Sequence, residues 1–289
     1  MVEYILGNYL IEKGKITKDD FAKILRKQDE VRAKLGLIAV TEGMLTADQA
    51  EEINRLQAVQ DMRFGDIAVE KGYLTVDQVS KLLNKQGDGY LMFMQRLVNL
   101  EYIEMDEVDG IIEDFKKDNG YSNSEVDAIK SNDAEKIVPL YVSKECVEFT
   151  DVIATAVRTL IRLVDRHIYI GQMKLVDGFP PVKMVSQSMV GENGIVTCFS
   201  EGTGALIKTA SVYAREEYDR VDMDCLDAIG ELLNCINGLY ASSLSRDGKF
   251  LELNPPEYGG VSGRVDDLIC QMPIYIGNEC MYYTVGKLV

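Results

Sequence analysis

Glycine recurs at positions 7, 36 and 65, and again at 14, 43 and 72. Both series step by 29 residues, and a unit that short buries its apolar face only by stacking on neighbours. After each second glycine comes an apolar residue (Ile16, Leu45, Leu74), a threonine (Thr17, Thr46, Thr75), then Asp20, Gln49 or Gln78 three positions later. Thr-x-x-Asp/Gln is a helix start in which the hydroxyl and the later side chain each accept an orphan backbone N–H. The second glycine suits the left-handed residue that closes a preceding helix. Each unit reads helix, glycine stop, threonine start, helix, ending near a glutamine (Gln28, Gln57, Gln86). A fourth copy keeps Leu97, Ile103, Val108 and Ile112 but has Met94 and Glu101 where glycines would stand. The expectation is an all-α array of αα-hairpins over residues 1–118.

The copies open Ile5-Leu6-Gly7, Lys34-Leu35-Gly36 and Arg63-Phe64-Gly65. In this the unit resembles the N-terminal module of type II secretion and pilus-assembly ATPases, the MshE N-terminal domain. Members of that family bind cyclic di-GMP across two tandem copies. The resemblance implies Arg63, Gly65 and Gln86, with Leu35, Gly36 and Gln57 from the copy before, as the residues that would hold it. Arginine can fork onto a guanine edge and glycine admits phosphate to the backbone. Ile5 and Lys34 replace the arginine in the first two copies, and lysine lacks the planar fork. The plainer reading is a repeat kept for its fold and used for docking.

From 116 to 136 the composition turns polar, Lys116-Lys117-Asp118-Asn119-Gly120 followed by Ser, Asn, Asp and Glu. Residues 119–138 read as a linker with a short helix over 124–130, and Pro139 marks the start of a second domain, 139–289. There the apolar period predicts a helix over 145–166. β-rich runs follow at 168–176, 182–190 and 194–200, divided by Gly178-Phe179-Pro180-Pro181 and by Glu192-Asn193-Gly194. Asn-Gly predicts a hairpin. Helices are expected at 203–214 and 222–246, and strands near 249–254, 271–277 and 279–286. Without strict βαβ alternation this is α+β, helices packed on an antiparallel sheet.

Several classes fall away. A net charge of −16 opposes a broad nucleic-acid surface. No apolar run approaches a bilayer span, and the start Met1-Val2-Glu3-Tyr4 lacks the basic, apolar pattern of a secretory signal. Six scattered cysteines without a Cys-x-x-Cys pair, and one histidine, predict reduced thiols, no metal site and a cytoplasmic protein. Gly202-Thr203-Gly204-Ala205-Leu206-Ile207-Lys208-Thr209 imitates a phosphate-binding loop, but Ile207 stands where glycine is needed. A strand-to-helix turn is the better reading.

The second domain is organised around Asp227, Glu231 and Asn234. At 100° per residue they fall within about 60° of one another on one helical stripe, with Gly238. Leu226, Leu233, Tyr240 and Leu244 are expected to face the core. Gly230, Gly238, Ala241 and Ser242 could admit another surface. From spacing alone this is a solvated face, but the surroundings are particular: an acidic stretch at Glu216-Glu217-Tyr218-Asp219, then Asp227, Glu231 and Asn234, then Leu253-Asn254-Pro255-Pro256.

That order resembles the CheX branch of the CheC, CheX and FliY chemotaxis phosphatases, whose signature is Asp or Ser, Glu four later, Asn three after that, and a distant proline. Pro256 falls one residue short of the family spacing. CheC-type proteins carry a second Glu-x-x-Asn on their first long helix, and 145–166 has none, so the single-site CheX type fits better. The resemblance implies hydrolysis of the aspartyl phosphate on a response-regulator receiver domain. Asn234 would orient the attacking water, Glu231 would pair with the receiver's lysine, and Asp227 and Gly238 would help docking. Mg²⁺ would come with the receiver, no metal or cofactor being the chain's own. A homodimer joined through sheet edges is also implied. A non-catalytic adaptor that binds a receiver domain, or cyclic di-GMP, is the alternative.

Overall fold

The computed structural model describes residues 1–26, 32–60, 62–180 and 183–289. Gln28 and the Pro181–Val182 step, expected at a helix end and a strand start, lie outside the described residues. Val2–Asn132 forms one compact unit and Asp133–Val289 belongs to another.

The first unit holds α1 (Val2–Glu12), α2 (Lys18–Arg26), α3 (Leu35–Thr41), α4 (Ala47–Val59), α5 (Phe64–Glu70), α6 (Val76–Asn84), α7 (Gly89–Asn99) and α8 (Glu107–Asn119). Gly14, Gly43 and Gly72 are left-handed, at φ 68°, 66° and 73°. Each donates its N–H three residues back, to Ile11, Val40 or Val69, while the next residue donates five back, to Leu10, Ala39 or Ala68. This is the Schellman closure. Thr46 with Gln49, and Thr75 with Gln78, form full capping boxes at α4 and α6. Asp20 plays the same part for Thr17 at α2. Gly7, Gly36 and Gly65 are buried where helices touch. A Cβ on Gly7 would overlap the Phe21 ring, one on Gly36 would lie 3.2 Å from Phe64, and one on Gly65 would lie 2.6 Å from Val79 Cγ1.

Residues 119–138, read from composition as a linker, carry α9 (Asn123–Lys130) and the first part of α10 (Ala134–Tyr141). A Ser122–Glu125 capping box starts α9, and Val126 and Ile129, three apart on one face, are buried. The polar composition belongs to the solvated side. Pro139 lies inside α10, and the units divide at Asn132/Asp133.

The second unit continues with a 3₁₀ helix (Lys144–Phe149), α11 (Thr150–Leu163), β1 (Tyr169–Ile170), β2 (Lys174–Leu175), β3 (Met184–Gly191), β4 (Ile195–Ser200), α12 (Thr203–Ala214), α13 (Met223–Ser245), β5 (Leu251–Leu253), β6 (Glu257–Tyr258), β7 (Val265–Ile276) and β8 (Glu279–Leu288). One antiparallel sheet runs β1-β7-β8-β4-β3-β5, with β2 also on β7 and β6 also on β3. Helix α13 lies against β3, β4 and β5, with α11 and α12 beside it. The architecture is thus mixed, helices with an antiparallel sheet. The run at 168–176 splits into two short strands, and β7 begins at Val265, with a register shift before Ile269. The β3–β4 hairpin turns through Asn193 at φ 64°.

At the glycine-rich decoy, Gly202 is left-handed at φ 60° between β4 and α12, and a Cβ there would overlap the Cys280 carbonyl. Lys208 pairs with Asp165 at 3.0 Å. This is a strand-to-helix turn.

The expectation of reduced thiols is corrected. Cys146 of the 3₁₀ helix is disulfide-bonded to Cys270 of β7, 124 residues away. Such a pairing leaves no spacing signal, because the fold and not the local sequence brings the two sulfurs together. Cys198, Cys225, Cys235 and Cys280 are free.

Candidate functional site

Helix α13 is capped by Asp222, which accepts from the Cys225 N–H. Its buried residues include Cys225, Ile229, Leu232, Leu233, Ile236 and Tyr240. That face is centred about opposite the Asp227–Glu231–Asn234 stripe. Leu226 and Leu244, expected in the core, are half-buried at its edge. Asp227, Glu231 and Asn234 are all exposed.

The three side chains line one side of an open cleft of about 350 Å³, and Leu253, Asn254, Pro255, Pro256 and Tyr258 line the other. Sheet pairing holds that second wall in place: β5 and β6 both pair with β3, and Asn254 N–H donates to Ser188 O at 3.0 Å. Gly230 makes the approach possible. A Cβ there would lie 3.2 Å from Tyr258 Oη and 3.3 Å from Pro256 Cβ. The small residue is thus used by the chain's own loop, whereas at half-buried Gly238 a Cβ would meet nothing.

Tyr258 Oη donates to Asp227 Oδ1 at 2.7 Å. Burial, and then this bond to a carboxylate, push the phenol up to about 12. A second cleft, about 390 Å³, lies on the far side of Asp227 and Glu231 and adds Glu216 and Asp224. Asp227 and Glu231 therefore stand on a ridge between two openings. Among the described residues no cation pairs with Glu231. Asn234 Oδ1 accepts from Gln187 Nε2 at 2.7 Å.

Gln187 and Tyr258 were missed by sequence reasoning. Tyr258 carried no signal beyond nearness to the prolines. For Gln187 there was one: Ser186-Gln187-Ser188 is a polar run in the middle of a strand that turns out to be buried over 184–189.

The N-terminal candidates are spread differently. Gly36 and Gly65 are buried, and Phe64 and Val79 pack into the space their missing side chains leave. Leu35 is half-buried and Arg63 exposed. Gln57 Nε2 reaches Met62 O at 3.4 Å, and Gln86 Nε2 donates to Ala33 O at 3.0 Å. Two clefts of this unit are lined by other residues, one by Glu42, Lys85, Tyr90 and Lys130, the other by Tyr9, Lys13 and Asp118. Among the described residues no His/Cys/Asp/Glu cluster could hold a metal ion, and no helix is long and apolar enough to cross a membrane.

No family model and no curated protein matches the sequence. Solved structures do resemble it in part. A CheC-like superfamily protein from Shewanella sp. PV-4 is 15% identical and covers 51% of this chain and 99% of its own, at a TM-score of 0.42. The chemotaxis protein CheX from Vibrio vulnificus is 14% identical, covering 47% and 96%, at 0.40. The CheX–CheY–BeF₃–Mg²⁺ complex from Borrelia burgdorferi is 17% identical, covering 48% and 96%, at 0.40. These neighbours are CheX- and CheC-like chemotaxis proteins, each spanning about half of this chain.

Proposed function

We propose that the second unit is a phosphatase for the aspartyl phosphate of a response-regulator receiver domain of the CheY type. The observation that carries this reading is the pairing of Glu231 and Asn234. They are exposed one turn apart on α13, at the rim of an open cleft, and among the described residues no cation pairs with Glu231. A carboxamide serves such chemistry because it donates and accepts without titrating.

The reaction is an in-line displacement. Water attacks phosphorus, the bond to the aspartyl oxygen breaks, the receiver's carboxylate leaves, and the water's proton passes to the phosphate released. Mg²⁺ would arrive with the receiver and would stabilise charge on the phosphoryl oxygens. This chain contributes position: Asn234 holds the water opposite the leaving carboxylate, and Glu231 takes the receiver's lysine and fixes register. Asp227, Asp224 and Glu216 extend the negative surface that a lysine-bearing partner would meet, with Gly238 leaving room on the helix.

Loss of phosphate from an acetyl-phosphate-charged CheY-type receiver, measured with wild type and Asn234→Ala, tests the proposal. Asn234→Ala is expected to lower turnover about a hundredfold while binding persists. Equal loss in both would leave an adaptor that binds receivers without hydrolysis. In the same reading the N-terminal unit is a docking or sensing module of the MshE type, with cyclic di-GMP as its effector at Leu35, Gly36, Gln57, Arg63, Gly65 and Gln86. Titration calorimetry of cyclic di-GMP into the full chain tests that, and no heat with no thermal shift removes it. A homodimer through the outer strands β1 and β5 completes the proposal.

A further inference from the structure

Behind Asn234 lies a chain of buried polar groups. Register places Gln187 of β3 directly opposite Thr197 of β4. Asn237 of α13, one turn after Asn234, is bonded to both of them. Gln187, Thr197 and Asn237 are 1%, 0% and 0% exposed. Asn237 Nδ2 donates to Gln187 Oε1 at 2.8 Å and to Thr197 Oγ1 at 2.8 Å, and Thr197 Oγ1 donates to Asn237 Oδ1 at 3.1 Å. Gln187 Nε2 spends its two protons on Asn254 O at 2.8 Å and Asn234 Oδ1 at 2.7 Å.

These bonds dictate which way each amide points. The Asn254 backbone carbonyl only accepts, so the Gln187 nitrogen must face it. The Asn234 atom on that same nitrogen must then be an oxygen. The Asn234 nitrogen, with both protons, is left on the other side of its amide. We infer that Gln187 is a positioning residue: from inside the sheet it fixes the rotamer and the amide orientation of Asn234, so that Nδ2 and the remaining Oδ1 lone pair are what an incoming water or phosphoryl group meets. A fully bonded network of this kind rigidifies its members, and a single loose end would be costly. Without it Asn234, in a helix where the χ1 well near +60° is closed, has two staggered wells and two amide orientations, so the competent arrangement is diluted about fourfold.

The kinetic half of the test rests on the phosphatase reading, and the spectroscopic half does not. In the full chain, Gln187→Met keeps length and apolar volume but removes the amide. With an acetyl-phosphate-charged CheY-type receiver, Gln187→Met is expected to lower kcat about fourfold with KM within about twofold. In an Asn234→Ala background it should add nothing, because it acts only through Asn234. An unchanged rate, or the same loss in both backgrounds, overturns the assignment. In ¹⁵N-labelled protein the Asn234 side-chain amide is the pair that vanishes in Asn234→Ala. Its heteronuclear NOE should match rigid backbone in wild type and collapse in Gln187→Met. A mobile amide in wild type, or no change in the variant, also overturns it. If wild type leaves the receiver's phosphate untouched, the phosphatase reading falls and the amide measurement alone decides the positioning role. Gln187→Leu, a second apolar replacement without the amide, separates the loss of the hydrogen bond from a packing fault peculiar to methionine. It should loosen the Asn234 amide as Gln187→Met does, whereas an Asn234 amide that stays rigid in a folded Gln187→Leu counts against the proposal.

Discussion

At Glu101 a bulky residue occupies a backbone position that glycine fills in three equivalent turns. Its φ is 59°, against 68°, 66° and 73° at Gly14, Gly43 and Gly72. The bonds are the same as well: Glu101 N–H donates to Val98 O, and Tyr102 N–H to Leu97 O, each at 3.0 Å. The side chain is exposed, so Glu101→Gly removes no packing. A side chain in the left-handed region costs about 1–2 kcal/mol. Glycine returns about 0.4–1 kcal/mol of that as extra freedom in the unfolded chain. Removing a negative charge from a helix C-terminus adds a few tenths. The variant should therefore be more stable by about 1 kcal/mol, a rise of about 3–5 °C in the transition to which this turn belongs. Scanning calorimetry of the full chain reads this, with Glu101→Ala as control, since alanine keeps the strain. A midpoint that is unchanged or lower in Glu101→Gly, or equally raised in Glu101→Ala, would refute the reasoning.

The remaining expectations concern the second unit. Gly202→Ala combines left-handed strain of about 1–3 kcal/mol with overlap on the Cys280 carbonyl, so chemical denaturation should show a loss of at least about 3 kcal/mol. Tyr258 has its phenol raised from 10.0 to about 12, so the fold favours the protonated form. That contribution is complete below about pH 10 and is lost as pH rises through about 12. Melts across this window should fall less steeply in Tyr258→Phe, and identical slopes would refute a raised Tyr258 phenol in the folded state. For the Cys146–Cys270 pair, unfolding without reductant should release four titratable thiols, and reduction should lower stability by about 2–5 kcal/mol. Six thiols before reduction would refute the pairing.

What was legible beforehand was whatever local chemistry dictates. The left-handed turns at Gly14, Gly43 and Gly72 and the boxes at Thr46 and Thr75 depend on residues three to six apart, and these are readable one turn at a time. The stripe of Asp227, Glu231 and Asn234 follows from helical period alone. The Asn193 hairpin and the glycine-rich turn before α12 were readable for the same reason.

Tertiary structure decided what those groups touch. Gly230 and Asn237 lie on the flank between the polar stripe and the core, where periodicity cannot say whether a position is wet or dry. They are buried because β3 and the Asn254–Tyr258 loop happen to pack there. Gln187 reaches Asn234 across 47 positions of sequence, and Cys146 reaches Cys270 across 124. Contacts at such range arise from strand register and helix placement, which depend on the free energy of the whole core and leave no mark in a short window of residues.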